Sequence, residues 1–502
     1  MTTSLTPAVR RAGATAMKRV ELSRPVRLAL EAGIVRPDDD VFDYGCGYGT
    51  DVDLLEKLGH SADGWDPNHR PDTALRPAAV VNLGYVLNVI EEPSLRASAI
   101  REAWKLTRRA LVVAVRTVDE AKCVKNTTKH ADGVITGLDT FQRFYRQAEA
   151  RAYIEDVLDV GSIPLAPGVF VAFRHETDEQ EWLDNRAALR RRVHRLRRIV
   201  EPRKTFRDEA YEAHRDVLRP LEEFVAERGR LPTADEHEWI ANVIAVFGSL
   251  PRAFQVVRHV AQTAWWDEAA DDRRQELLVR FALARLRKRP NFSALPHGVQ
   301  RDVRSLFGSY KTACEMADAL LFSIADTSAL QRATSTAVLG KRTPDAIYVH
   351  LDAVDLLPVE LRVFIGAADA LIGRVPEATL VKAHLNKPRV SYLIYPDFDS
   401  DPHPALAESW VVDLKELDVR PHDFRDRENP PILHRKELFV PQSYPRYETF
   451  RRLTAQQDRH GLLDEPLTIG TREGWRSRLQ ETGWDTRGHR LVRRRLSLDS
   501  PK

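Results

Sequence analysis

Cysteine is scarce in this chain: 3 in 502 residues, at Cys46, Cys123 and Cys314. They make no Cys-x-x-Cys pair and no zinc-ligand spacing, which excludes a disulfide framework and a structural zinc site as the organising device. No apolar run is long enough for a membrane span. The first 17 residues are polar and rich in Ala, Thr and Arg, without a secretory hydrophobic core, so residues 1–19 are expected to be a flexible lead-in. Charge of either sign is not in excess: 76 Lys and Arg against 73 Asp and Glu leave +3, a balance that does not by itself predict a nucleic-acid partner. There is no internal repeat and no low-complexity tract. What remains is a chain for a reducing cytoplasm, long enough for two or three domains, whose 43% hydrophobic residues supply ordinary cores.

The most informative stretch that is present runs Val41-Phe42-Asp43-Tyr44-Gly45-Cys46-Gly47-Tyr48-Gly49-Thr50-Asp51. It reads as an apolar strand, a glycine turn and a helix start. Glycines at alternate positions let backbone pass close to a ligand with no Cβ in the way. The amides of the following helix start favour hydrogen-bond acceptors and negative groups. Dinucleotide-binding turns take the form Gly-x-Gly-x-x-Gly. The spacing here is Gly-x-Gly-x-Gly with an acid two residues ahead. That pattern resembles motif I of the class I S-adenosylmethionine (SAM) methyltransferases. The resemblance implies a SAM site built from Asp43, Tyr44, Gly45, Cys46, Gly47 and Gly49.

The text that follows fits a nucleotide-binding α/β fold. A helical segment (Val52 to Leu58) leads to a short strand ending at Asp66, about 20 residues beyond the turn, where such folds place a carboxylate on ribose hydroxyls. Residues 78–90 read as a buried strand entering a loop, 94–106 as a helix, and 110–115 as another buried strand. Alternating strands and helices imply a parallel, doubly wound sheet with ligands at the strands' carboxyl ends, where Asp43, Gly45, Asp66 and Asn82 fall. Each element alone has a plain alternative: a glycine turn that is only a turn, and a solvated loop acid. The ordered set is what points to a cofactor.

Asn82-Leu83-Gly84-Tyr85 would end the fourth strand of the class I order. Amino-directed DNA methyltransferases carry [Asp/Asn]-Pro-Pro-[Tyr/Phe/Trp] there, with the amide side chain holding the exocyclic amine and the aromatic stacking on a flipped base. Asn82 and Tyr85 match the outer positions. Leu83 and Gly84 replace the prolines that pre-set the turn. Asn82 and Tyr85 are therefore candidate acceptor-site residues, against a reading in which Asn82 touches the methionine part of SAM and Tyr85 packs in a helix start. No Pro-Cys motif suggests a cytosine-C5 nucleophile.

Four segments are expected: the lead-in 1–19, a methyltransferase-like α/β domain over 20–175, a helical domain over 176–335, and an α+β region over 336–502. In the first domain, Thr140 to Asp156 reads as a helix, with closing strands at Val157 to Asp159 and Val169 to Phe173. The helical domain opens with a basic run from Arg186 to Arg207. Clustered arginine attracts phosphate, so DNA is the expected partner, against a solvated face balanced by Glu179, Glu181 and Asp184. The C-terminus repeats the theme with Arg487, Arg490 and Arg493 to Arg495. Pro396 to Pro404 holds three acids and a histidine between prolines; it reads as a structured surface turn, and no metal is assigned.

Over most of residues 18 to 405 the chain resembles the DNA phosphorothioation-associated methyltransferase family. The resemblance rests on 43–49, 81–90, Gly340 to His350 and Tyr395 to Pro404. It implies SAM-dependent methylation beside a bacterial DNA-modification or restriction pathway, with DNA as leading acceptor through a base amine, and other DNA sulfur-modification proteins as further partners. An RNA, protein or small-molecule methyltransferase is one alternative. A non-catalytic DNA- or partner-binding component that keeps the fold is another.

Overall fold

A computed structural model describes residues 12–16, 18–198, 209–260 and 264–494, with side chains omitted for a few residues inside these spans. The chain divides into two compact units. One is discontinuous, residues 1–174 together with 324–502; the other is the insertion, residues 175–323.

The first unit opens with α1 (Arg24–Glu31), which carries the proline expected of a first helical turn. The apolar runs then become the strands of one sheet: β1 (Asp40–Tyr44), β2 (Ser61–Trp65), β3 (Ala78–Gly84) and β4 (Thr107–Ala114). Helix α2 (Thr50–Lys57) joins β1 to β2; a short α3 (Val86–Val89) and a longer α4 (Pro93–Leu106) join β3 to β4. After β4 come a small antiparallel sheet, β5 (Thr128–His130), β6 (Gly133–Ile135) and β7 (Phe141–Gln142), then α5 (Gln147–Leu158). Strands β8 (Ser162–Ala166) and β9 (Val169–Phe173) close the main sheet as a hairpin.

The sheet order is β2-β1-β3-β4-β9-β8. Strands β1 to β4 run parallel, and β9 and β8 pair antiparallel at the edge. This is the expected doubly wound α/β sheet, with Phe42, Val81, Leu83, Leu111 and Phe170 in one continuous core. Several details differ from the sequence reading. The helix expected over Thr140 to Asp156 starts at Gln147, with Phe141–Gln142 in a strand, and the closing strand expected at Val157 to Asp159 lies instead at Ser162–Ala166. Val157 and Leu158 complete α5 rather than starting a strand, because the helix stops only where Asp159 takes a left-handed conformation. Asn82 lies on the third strand along the chain, yet that strand pairs with β1, the place expected of the fourth; the strand expected before it is missing among the described residues. Residues 66–77 carry neither helix nor strand: Pro67, Pro71 and Pro77 interrupt a linker already short for a helix and a strand.

From α6 (Thr327–Thr336) onward this unit contains a six-stranded antiparallel meander, then two helices, Tyr447–Arg459 and Arg472–Thr482, and a C-terminal hairpin of Trp484–Thr486 with Leu491–Arg493. The strands of the meander are β10 (Lys341–Thr343), β11 (Ala346–His350), β12 (Leu380–His384), β13 (Arg389–Ile394), β14 (Glu408–Asp413) and β15 (Asp418–Asp423). Helix α7 (Val359–Ile372) buries its apolar face on β11 to β13 through Leu361, Phe364, Ile365 and Ala368. Its carboxyl end meets the first sheet: Gln147 Nε2 donates to the Leu371 carbonyl at 3.2 Å, and the Arg374 amide to the Leu165 carbonyl at 2.9 Å. The turn 397–403 caps itself. Asp401 Oδ1 accepts the His403 amide at 2.8 Å, while the buried His403 ring faces the Leu433 carbonyl and Gln457.

The insertion is helical, as the periodicity predicts. Leu218, Leu221, Val243, Val257 and Trp266 form a core. Beside it Asp302, fully buried, collects Arg228, Arg230 and Arg273 at 2.7–3.0 Å. The part of the basic run up to Arg198 lies on a helix, Glu176–Arg198, on which Arg186 stands over the Trp182 ring at 5.5 Å. Side chains from 189 onward, and residues 199–208 altogether, lie outside the described residues. Glu179 and Asp184 pair with Arg287 and Arg280. Among the described residues no single helix is long and apolar enough to cross a membrane.

Candidate functional site

Strand register sets the site. Asp43 is aligned with Gly64 on one neighbouring strand and with Asn82 on the other, so both Asp43 and Asn82 project from the same row of the sheet. Asn82 Nδ2 donates to Asp43 Oδ1 at 2.8 Å. Both are almost completely buried, at 3% and 4% exposure. Asn82 Oδ1 is buried with no hydrogen-bond partner among the described residues. Gly64 leaves room beside this pair; a Cβ there would stand 2.8 Å from that of Cys46 and 3.0 Å from the Asp43 carbonyl.

The turn that leaves β1 is left-handed at all three glycines, with φ of +86°, +55° and +83° at Gly45, Gly47 and Gly49. Gly45 is held by its amide on the Trp65 carbonyl at 2.7 Å, and a Cβ there would lie 2.3 Å from Val86 Cγ2. Handedness and crowding together admit only glycine. Gly49 then caps α2, whose first turn carries Asp51. Cys46 is buried; its thiol is pushed up to about 12, by burial first and by the Asp43 charge second, so it is not a nucleophile at neutral pH.

Burial pushes the Asp43 carboxyl up to about 7, with the Asp51 charge adding to it and the Asn82 hydrogen bond opposing. Asp51, at 1% exposure, was invisible to sequence reading: an acid in a first helical turn looks like dipole compensation. It instead accepts the Ser23 amide at 2.7 Å and pairs with Arg19 at 2.8 Å. Asp66 follows β2, as expected. Its Oδ2 accepts the Gly47 amide at 3.1 Å, and its Oδ1 the Asn68 and His69 amides at 2.8 and 2.9 Å. Tyr44 packs on Trp65 with ring centroids 5.1 Å apart, lining the strand end rather than the turn.

Tyr85 holds φ +62°, ψ 8°, in the left-handed region that a bulky side chain avoids. Its amide donates to the Ala114 carbonyl at 2.8 Å, turning the chain from the end of β3 across the end of β4. Strain of this kind concentrates at ligand sites. The structure thus brings Asp43, Gly45, Cys46, Gly47, Gly49, Asp66 and Asn82 together, with Tyr85 on the next turn of backbone. Among the described residues, no three or more His, Cys, Asp or Glu side chains converge as metal ligands.

These groups fit a cofactor rich in hydrogen-bond donors and positive charge. The free Asn82 oxygen and the Asp43 carboxyl can receive N–H groups, and the glycine turn gives close backbone approach.

No family profile matches the chain, and no curated protein matches it. Solved structures with similarity to it include 1,6-didemethyltoxoflavin-N1-methyltransferase of Burkholderia thailandensis, bound to 1,6-didemethyltoxoflavin and S-adenosylhomocysteine. It is 14% identical, with TM-score 0.24, covering 30% of this chain and 76% of that one. The sugar N-methyltransferase KedS8 of a Streptoalloteichus species is 14% identical, with TM-score 0.24 and coverage of 30% and 85%. The CcbJ methyltransferase of Streptomyces caelestis is 12% identical, with TM-score 0.23 and coverage of 32% and 93%.

Proposed function

We propose that this chain is a SAM-dependent methyltransferase. One observation carries the reading: a left-handed glycine turn meets a buried carboxyl, Asp43, and an unpartnered amide oxygen, Asn82 Oδ1, at the carboxyl ends of adjacent parallel strands. Bound SAM would supply an electrophilic methyl on a sulfonium. Asp43 and Asn82 would hold its cationic end, and Asp66 would exchange backbone amides for ribose hydroxyls. The protein's own task is then to align an acceptor and exclude water.

DNA is the acceptor we favour, through a base amine, with Asn82 at the junction of the two sites and Tyr85 as the stacking ring. Support comes from the Asn-Leu-Gly-Tyr turn, the strained backbone at Tyr85, the basic helix of the insertion, and the sequence resemblance to proteins associated with DNA phosphorothioation. The exposed Arg487, Arg490, Arg493 and Arg494 give the C-terminal hairpin the same sign of charge.

The test has two stages. Calorimetric titration with SAM and S-adenosylhomocysteine should show binding of both, lost in Gly47→Val. A radiolabelled-methyl screen of DNA, with and without phosphorothioate linkages, RNA and protein should then label DNA. Label in RNA or protein alone would redirect the acceptor. A folded protein that binds neither compound would leave a non-catalytic DNA- or partner-binding component.

A further inference from the structure

The glycine turn is covered by the chain's own N-terminal segment. Residues Ala12–Thr15 form a single 3₁₀ turn, and its contacts, with those of Ala16 and of residues 18–23, fall on the residues around the glycine turn. The Gly13 carbonyl meets His69 Nε2 at 2.9 Å. Gly13 itself lies flat on Asn68: a Cβ at Gly13 would stand 2.8 Å from that of Asn68. Ala16 Cβ lies 3.2 Å from where a Cβ on Gly47 would be, on the face that the glycine leaves open. Lys18 Nζ sits 5.5 Å above the Tyr48 ring, which packs against His69 with centroids 4.3 Å apart. Arg19 and the Ser23 amide then fasten the segment to the buried Asp51.

The glycine turn itself is engaged internally, while Asp43 and Asn82 below it are not touched by the described residues of the segment. The Gly47 amide is on Asp66, its open face is under Ala16, and the Tyr48 and His69 rings are stacked on each other. We infer that residues 12–16 and 18–23 act as an autoinhibitory strap, latched by Arg19 on Asp51, which must lift before a nucleotide-bearing cofactor enters. This rests on the cofactor reading above. The strap and the cofactor compete for the glycine turn, so the observed affinity is the intrinsic one reduced by the fraction of molecules with the strap open.

Two variants open the strap without touching the turn. Arg19→Ala removes the latch. Gly13→Ala wedges a methyl against Asn68, at a position outside the sheet and its core. Gly13→Ala should keep the thermal midpoint of the main transition, and Arg19→Ala should lower it by leaving the buried Asp51 without its cation. Both should bind SAM about tenfold more tightly by calorimetry, the factor expected for a strap open about one molecule in ten. In the wild type, SAM should speed tryptic cleavage after Lys18 and Arg19, because binding displaces the strap. Equal or weaker SAM affinity in both variants overturns the strap and leaves the cofactor reading standing, as does protection of Lys18 and Arg19 by SAM. A folded protein that binds no SAM in any of the three forms overturns both.

Discussion

Asn82 donates its amide to Asp43 at 2.8 Å and keeps a buried oxygen with no partner. A buried acceptor left unmatched costs about 1–3 kcal/mol, so its persistence points to a ligand that satisfies it. Asn82→Ala should therefore weaken SAM binding by about 1–3 kcal/mol, read by calorimetry. Unchanged affinity together with lost methyl transfer would move Asn82 wholly to the acceptor side.

The same pair predicts a pH dependence. Burial, and after it the Asp51 charge, raises the Asp43 carboxyl to about 7. The folded chain then holds this proton more tightly than the unfolded chain does. The contribution to stability is complete below the ordinary carboxyl range and is lost as pH rises through about 7. Asp43→Asn should flatten the fall in thermal midpoint between about pH 4 and 7. A cationic ligand favours the carboxylate, so SAM affinity in the wild type should rise with pH up to about 7. Calorimetry in buffers of different ionisation enthalpy should show proton release on binding. A pH-independent affinity with no proton release would place the ligand's charge away from Asp43.

Much of this site was legible because its signals are local. Period and apolarity announce the strands, and the alternate glycines announce a left-handed turn. The register that sets Asp43 beside Asn82 follows once β1 and β3 are adjacent and parallel. Other features were not legible because they depend on contacts far apart in sequence. Asp51 reads as a surface helix acid until Arg19 and Ser23 fold over it. Asp66 reads as a free carboxylate until the Gly47, Asn68 and His69 amides converge on it. The strand that carries Asn82 takes its expected place beside β1, but one strand of the expected order is missing for a countable reason: residues 66–77 are too few and too rich in proline to supply a helix and a strand. The antiparallel meander after residue 340 was only partly readable, since the edge strand β10 has three residues and the other edge strand, β15, is largely polar.

The helical insertion rests on one buried carboxylate. Burial alone would raise the Asp302 carboxyl, yet Arg273, Arg228 and Arg230 hold it below the ordinary range. Removing it leaves three arginines crowded, two of them buried, without their common partner. Asp302→Ala should cost about 3–5 kcal/mol, seen as a lowered denaturation midpoint for the helical unit. Because the folded value is depressed, the wild-type contribution is present above the ordinary carboxyl range and is lost as pH falls below it. A loss under about 1 kcal/mol would mean that the arginines find other acceptors.

Tyr85 is where stability and function should pull in opposite directions. Its left-handed backbone costs about 1–2 kcal/mol for a residue with a Cβ, and nothing for glycine. Tyr85→Gly relieves the strain but also loses the packing of a partly buried ring, so its thermal midpoint should lie above that of Tyr85→Ala. Tyr85→Ala keeps the strain and removes the ring alone, which separates the two effects. If the ring stacks on a flipped base, both variants lose methyl transfer to DNA while binding SAM normally, and a stacking contact of about 1–3 kcal/mol disappears from acceptor affinity. Burial pushes the Tyr85 phenol above its ordinary range, so it stays neutral and serves as a stacking surface rather than a base. Tyr85→Phe should accordingly keep most of its transfer rate at neutral pH. Full transfer by Tyr85→Ala would take Tyr85 out of the acceptor site and leave its strain as a feature of the chain reversal after β3.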